Sequence, residues 1–132
     1  MSGGQIGLSG RSIFLSISKI AVVIYEPIGS DTSRVYRGLK TALEFKDAGD
    51  DVVVVFDGSG VESLAAISDP KHKMNPLAVA LHDNIRGACA FCVTSHGVTD
   101  AVEAGGWPML TEYKGQASVR SLVVEGYQIF NF

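Results

Sequence analysis

Two nearly continuous β-branched runs, Lys19-Ile20-Ala21-Val22-Val23-Ile24-Tyr25 and Asp51-Val52-Val53-Val54-Val55-Phe56, leave this chain few folds to choose from. A strand with one wet face alternates apolar and polar residues, whereas these runs present apolar side chains to both faces. Strands of that kind belong to parallel sheets covered on both sides, and parallel neighbours need a crossover between them, usually a helix. The sequence between the runs supplies one. Pro27 and Gly29 stop the first run, and Ser30-Asp31-Thr32-Ser33 offers N-cap residues. Val35, Leu39, Ala42, Leu43 and Lys46 then recur near a helical period before Gly49.

The same alternation continues downstream. Asp57-Gly58-Ser59-Gly60 cuts off the second run, and a short helix carrying Leu64 and Ile67 ends near Ser68-Asp69-Pro70. Lys71-His72-Lys73 reads as a loop. Asn75-Pro76 reads as a cap and first position opening a helix whose Leu77, Leu81 and Ile85 line up for burial, with Gly87 closing it. An apolar run through Cys89 and Cys92 comes next as the third strand. Val98 to Ala104 is helical in character, Met109 to Tyr113 is a short fourth strand, and Ser118 caps a last helix through Val124. Tyr127-Gln128-Ile129-Phe130-Asn131-Phe132 is a final strand. The expected architecture is a three-layer α/β/α sandwich with a mostly parallel sheet of about five strands. It forms a single domain over residues 19–132, preceded by an N-terminal extension, residues 1–18, that is flexible or packed on a partner.

Composition removes several classes of function. The formal charge is 11 − 14 = −3 with no basic block, so nucleic acid is not expected as a partner. No stretch approaches the roughly 18 apolar residues of a membrane span. The opening Met1-Ser2-Gly3-Gly4-Gln5-Ile6-Gly7-Leu8-Ser9-Gly10 has no basic start, and Arg11 interrupts the weakly apolar remainder. That makes a poor signal peptide and places the chain in the cytoplasm. A hydrophobic content of 46% in 132 residues is more than a small monomer readily hides, and predicts a homo-oligomer.

Cys89 and Cys92, the only cysteines, carry the chemistry. They lie near the carboxyl end of an expected parallel strand, where open α/β sheets bind ligands. If the run stays extended, residues three apart have Cα atoms roughly 10 Å apart, beyond the roughly 7 Å limit for a disulfide. The expectation is therefore two distinct thiols, able to pair only if the backbone turns before Cys92. Cys89 should be shielded within the strand. Cys92 should meet main-chain amides at the open end, with its pKa lowered toward neutrality, and should label first near pH 6. His96, four residues beyond Cys92, could assist its thiolate, and is otherwise a polar loop residue beside Gly97.

His72 lies in a loop able to fold back over the crevice, or is simply solvated. The amides of Asp57-Gly58-Ser59-Gly60 could hold an anion, though a tight strand-to-helix turn explains them as well. Plain core packing accounts for Cys89 too. Thioredoxin-like disulfide chemistry shares the Cys-x-x-Cys spacing, but there the motif follows an early strand and opens a helix. A metal site built on Cys89, Cys92 and His96, with His72 or His82, lacks the second ligand pair of structural zinc, so no metal is expected. No Walker A loop, Gly-x-Gly-x-x-Gly fingerprint or Gly-x-Ser-x-Gly elbow occurs, and no cofactor is expected.

With the strands and Cys92 placed, the chain resembles the DsrE/DsrF-like family over Lys19 to Phe132. The resemblance rests on Asp69-Pro70-Lys71-His72-Lys73, Gly87-Ala88-Cys89-Ala90-Phe91-Cys92, His96-Gly97-Val98 and Val123-Val124-Glu125-Gly126-Tyr127-Gln128-Ile129-Phe130. It implies a compact α/β sandwich assembling as a trimer or hexamer. It also implies a sulfur-relay role, in which Cys92 matches the cysteine that carries sulfane sulfur as a persulfide between donor and acceptor proteins. Cys89 has no counterpart in the best-understood carriers and resembles a Cys-x-x-Cys branch. The segment from Cys92 to Gly97 is shorter than in those carriers. A different class of function is a non-catalytic oligomeric module that holds a small ligand or senses redox state in the same crevice.

Overall fold

The β-branched runs pair as parallel neighbours. The computed structural model describes residues 17–132, and the expected extension over residues 1–18 lies outside them except for its last two residues. Strand β1 (Lys19–Ile24) aligns with β2 (Asp51–Phe56) so that Ile24 stands opposite Phe56. Helix α1 (Thr32–Asp47) makes the crossover, capped by Asp31, whose side chain accepts the Arg34 N–H. Helices α2 (Val61–Ile67) and α3 (Asn75–Ala80) lead to β3 (Ile85–Cys89). Helices α4 (Ala90–Ser95) and α5 (Thr99–Ala104) lead to β4 (Met109–Leu110), and α6 (Val119–Val124) leads to β5 (Gln128–Asn131). The five-stranded sheet runs β4-β3-β2-β1-β5 and is parallel throughout.

The result is a three-layer α/β/α sandwich with unequal layers. One face of the sheet, carrying Ile20, Val22, Ile24, Val54 and Phe56, packs against Val35 and Leu39 of α1, Leu64 and Ile67 of α2, Val93 of α4 and Val102 of α5. The other face presents Ala21, Val23 and Val55 to Leu122 of α6 and to Ala117 in the segment before it. The unequal cover arises from the strand order. Successive right-handed crossovers from β1 to β4 keep their helices on one side, and only the return from β4 to β5 crosses the opposite face.

Several boundaries differ from the sequence reading. Asn75 does not cap α3: its side chain donates to the Ile67 carbonyl at 2.9 Å, while His72 Nδ1 accepts the Met74 N–H at 3.0 Å, so Met74 holds the cap position. The helix ends at Ala80 rather than running to Gly87, a 3-10 turn at His82–Asn84 intervenes, and Ile85 already pairs with Val54. Leu77, Leu81 and Ile85 at that spacing suit a helix face, yet Ile85 is buried just as well in a strand. The fourth strand stops at Leu110 rather than Tyr113, because Tyr113 and Gln116 close a turn through Lys114 and Gly115, both at positive φ.

Gly87 sits in the middle of β3, where the register slips between Val54 and Val55. Its φ is +146°, and an added Cβ would lie 2.2 Å from the Pro108 carbonyl oxygen. That carbonyl accepts the Ala88 N–H at 3.1 Å and holds the chain leading into β4 against β3. A Gly87→Ala variant therefore combines an unfavourable φ with a backbone collision and should lose about 3 kcal/mol or more. Gly49→Ala, at φ +90° with nothing near the added Cβ, should lose only about 1 kcal/mol. Urea unfolding midpoints at constant slope measure both, and equal losses would remove the Pro108 contact as the reason for Gly87.

Candidate functional site

Parallel register brings the site together. Ile24 pairs with Phe56, and Phe56 with Ala88, so the next residues along the three chains, Tyr25, Asp57 and Cys89, fall in one row at the carboxyl end of the sheet. Adjacent strands are about 4.8 Å apart, so side chains in one row touch. Cys89 is the last residue of its strand and is 1% exposed, as expected of the shielded thiol. Its Sγ accepts the Ala117 N–H at 3.5 Å.

The backbone turns into α4 directly after Cys89, so Cys92 lies in the first turn of a helix and not at the end of an extended strand. This overturns the expected separation of the thiols. Helical coiling swings Cys92 back toward the row, and one ligand atom each of Asp57, Cys89 and Cys92 lies within 4.8 Å of the others. Cys92 Sγ–H donates to Asp57 Oδ1 at 3.6 Å. Cys92 is half-buried and Cys89 buried, which leaves Cys92 as the less buried residue of the pair.

The electrostatics also depart from the sequence reading. The Cys92 thiol is pushed up to about 12 rather than lowered toward neutrality. Burial is the main cause, followed by the hydrogen bond to Cys89 and the negative charges available on Cys89 and Asp57. The Gly58 amide favours the thiolate and does not offset them. The Tyr25 hydroxyl is also raised, first by burial and then by Asp57, Cys89 and Cys92. A carboxylate neighbour that accepts the thiol proton keeps Cys92 protonated at rest.

Other candidate residues divide between the site and its surroundings. Asp57 is central. Its Oδ1 accepts the Gly58 N–H at 2.8 Å and its carbonyl accepts the Gly60 N–H at 2.9 Å, so Asp57 caps the 3-10 turn over Gly58–Gly60 in which Ser59 lies. The Asp57 carboxylate therefore competes with the Cys92 sulfur for the Gly58 amide. His96 closes α4, where its backbone N–H donates to the Cys92 carbonyl, but its ring bonds Glu62 of α2 through Nδ1 at 2.6 Å. His96 is thus held by a carboxylate rather than by the Cys92 sulfur. His72 accepts the Met74 amide and lies outside the sulfur–carboxylate cluster.

Tyr25 escaped the sequence reading. The available signal was its position as the closing residue of the first β-branched run, in register with Asp57 just after the second. A cleft of about 750 Å³, lined by Tyr113, Ala117, Ser118, Arg120 and Val124 among others, adjoins the Cys89 side through Ala117. Phe91, between the two cysteines in sequence, is 59% exposed. Comparison with protein-family models, curated proteins and solved structures found no match.

The arrangement predicts slow alkylation. With its thiol at about 12, Cys92 should react with iodoacetamide only sluggishly at neutral pH and accelerate as pH rises toward that value. Asp57→Asn removes a negative charge and a proton acceptor, and should shift the profile to lower pH. Cys89→Ala should shift it in the same direction. Rate against pH, with the labelled cysteine located by mass spectrometry, checks this; fast Cys92 labelling near pH 6 would restore the activated thiolate of the sequence reading.

Proposed function

We propose that this chain is a sulfur carrier in which Cys92 takes sulfane sulfur from a donor protein's persulfide and passes it to an acceptor protein, with Cys89 as a second, resolving thiol. The observation that carries the reading is the meeting of a half-buried cysteine, a second sulfur and a carboxylate within 4.8 Å. The DsrE/DsrF-like resemblance, in which Cys92 matches the persulfide-bearing position, supports the same reading.

The chemistry rests on the contacts. The thiolate form of Cys92, its proton released to water, attacks the outer sulfur of a donor R–S–SH. A sulfur–sulfur bond forms at Cys92, the donor bond breaks, and the donor leaves as its thiolate. An acceptor thiolate then removes the outer sulfur, and Cys92 is the leaving group. If Cys89 attacks Cys92 Sγ instead, an intramolecular disulfide forms and hydrosulfide departs, the two thiols having reduced the sulfane sulfur by two electrons. An external dithiol must then reopen the disulfide.

The proximity of the sulfurs also favours a second reading, a redox-sensing module that cycles between dithiol and disulfide without taking up sulfur. Intact mass after incubating reduced protein with polysulfide separates them. The carrier should gain one sulfur atom, lose it on reduction, and fail to gain it as Cys92→Ser. Cys89→Ser should keep the adduct longer and release less sulfide. Disulfide formation with no sulfur gain in any variant would favour the sensor, and neither product would remove both readings.

We propose further that the chain assembles as a homotrimer or homohexamer through the outer face of α6. Val119, Val123, Val124 and Tyr113 are all exposed there, on the thinly covered side of the sheet. His82, exposed beside Asp83 with its ring near Trp107, and the edge strand β5 are the other candidate contacts. Light scattering should give a multiple of 14.0 kDa, and Val123→Glu with Val124→Lys should dissociate the particle. A wild-type particle of monomer mass at micromolar concentration would end this proposal.

A further inference from the structure

We infer that Asp57, Cys89 and Cys92 form a binding site for a thiophilic divalent cation of the zinc class, held by two sulfurs and a carboxylate oxygen with a fourth position open to solvent. Their ligand atoms already lie within 4.8 Å of one another, and no other group of three such side chains approaches this closely among the described residues. On a tetrahedral ion with bonds of about 2.3 Å to sulfur, two sulfurs stand about 3.8 Å apart, so the cluster need contract by only about 1 Å.

The ligands are set by the fold rather than by a long loop. Asp57 follows β2, Cys89 ends β3, and Cys92 lies one turn into α4. Two of them are also oriented from outside: Asp57 by the Gly58 N–H at 2.8 Å and Cys89 by the Ala117 N–H at 3.5 Å. Outer hydrogen bonds of this kind aim metal ligands and tune them. Two sulfurs with one carboxylate suit Zn²⁺, Cd²⁺ or Co²⁺, whereas Mg²⁺ and Ca²⁺ take oxygen ligands.

Three protein ligands with one position free is the pattern of sites that exchange a bound water or substrate, while structural zinc is closed by four. Half-burial of Cys92 leaves the free position on the accessible side. Binding changes no oxidation state: the cation forms two metal–sulfur bonds and one metal–oxygen bond, and each thiol releases its proton. Cation binding does not depend on sulfur transfer. It adds a competing ligand state, because a metal-bound Cys92 sulfur is withdrawn from attack on a persulfide.

Cobalt titration of the full-length, reduced chain under nitrogen tests it. Co²⁺ should develop a sulfur-to-metal charge-transfer band in the near ultraviolet, saturate at one ion per chain, and be displaced by Zn²⁺. Cys92→Ser and Cys89→Ser should each lose about half of the band intensity, as one of two sulfur ligands is removed. Asp57→Asn should keep the intensity and weaken binding about tenfold or more. Circular dichroism checks that each variant is folded. Should the buried Cys89→Ser not fold, half-buried Cys92 carries the test alone.

Absence of the band in reduced wild type, a band unchanged in Cys92→Ser, or one ion shared by two chains would overturn the inference. Persulfide loading without cobalt binding would overturn it and leave the sulfur-carrier reading standing. Cobalt binding without persulfide loading would support it and count against that reading.

Discussion

Everything at the site depends on the register of three parallel strands. Backbone hydrogen bonds hold Ile24, Phe56 and Ala88 in line, and the next residue of each strand inherits that alignment. No contact between Tyr25, Asp57 and Cys89 is needed to bring them together, because the ladder does so before any side chain is considered. A slip of one residue in either pairing would turn Asp57 or Cys89 to the opposite face and dissolve the cluster. The apolar runs guard against such a slip, since both sheet faces are buried. Shifting β2 by one residue would also exchange Val54 and Phe56 for Val53 and Val55 against the larger core.

Once the row is set, the turn at Cys89 decides its chemistry. A strand continuing through Cys92 would have separated two independent thiols, one buried and one exposed. Coiling into α4 makes a single unit of them, in which each sulfur and the carboxylate shape the charge state of the others. The same proximity explains why Cys92 holds its proton and why disulfide closure and cation binding are both within reach. Burial and the Asp57 carboxylate together hold this sulfur in its protonated form, so its reactivity is set by the cluster and not by Cys92 alone.

Much of the fold was legible in the sequence because its signals were redundant. Strands β1 and β2 were marked by unbroken β-branched composition and by Gly and Pro stops, and α6 by the Ser118 cap. The errors fell where one local pattern suits two structures. Leu77, Leu81 and Ile85 satisfy a helical period although Ile85 belongs to a strand. Ala88 to Val93 is apolar throughout, which gives no hint that the chain changes from strand to helix at Cys89. Asn75 looked like a cap until its side chain met Ile67, a contact that only tertiary structure creates. At the site, both cysteines and Asp57 were visible as residues, whereas their mutual distance required the register and the turn together. Tyr25 was hidden because a tyrosine closing a hydrophobic run ordinarily reads as part of the run.

The strand order carries a consequence for biosynthesis. Strand β1 pairs with β5 as well as with β2, Ile20 standing opposite Gln128 and Val23 opposite Asn131. During translation, β1, α1 and β2 can associate early, but one edge of β1 has no partner until the segment around Gln128–Asn131 leaves the ribosome. That edge belongs to one of the most apolar strands of the sheet, and an unpaired apolar edge invites strand addition from neighbouring chains. The nascent polypeptide is therefore most exposed to misassembly in the interval before β5 emerges, and the small β5 serves as a late-arriving cover for the first strand of the sheet.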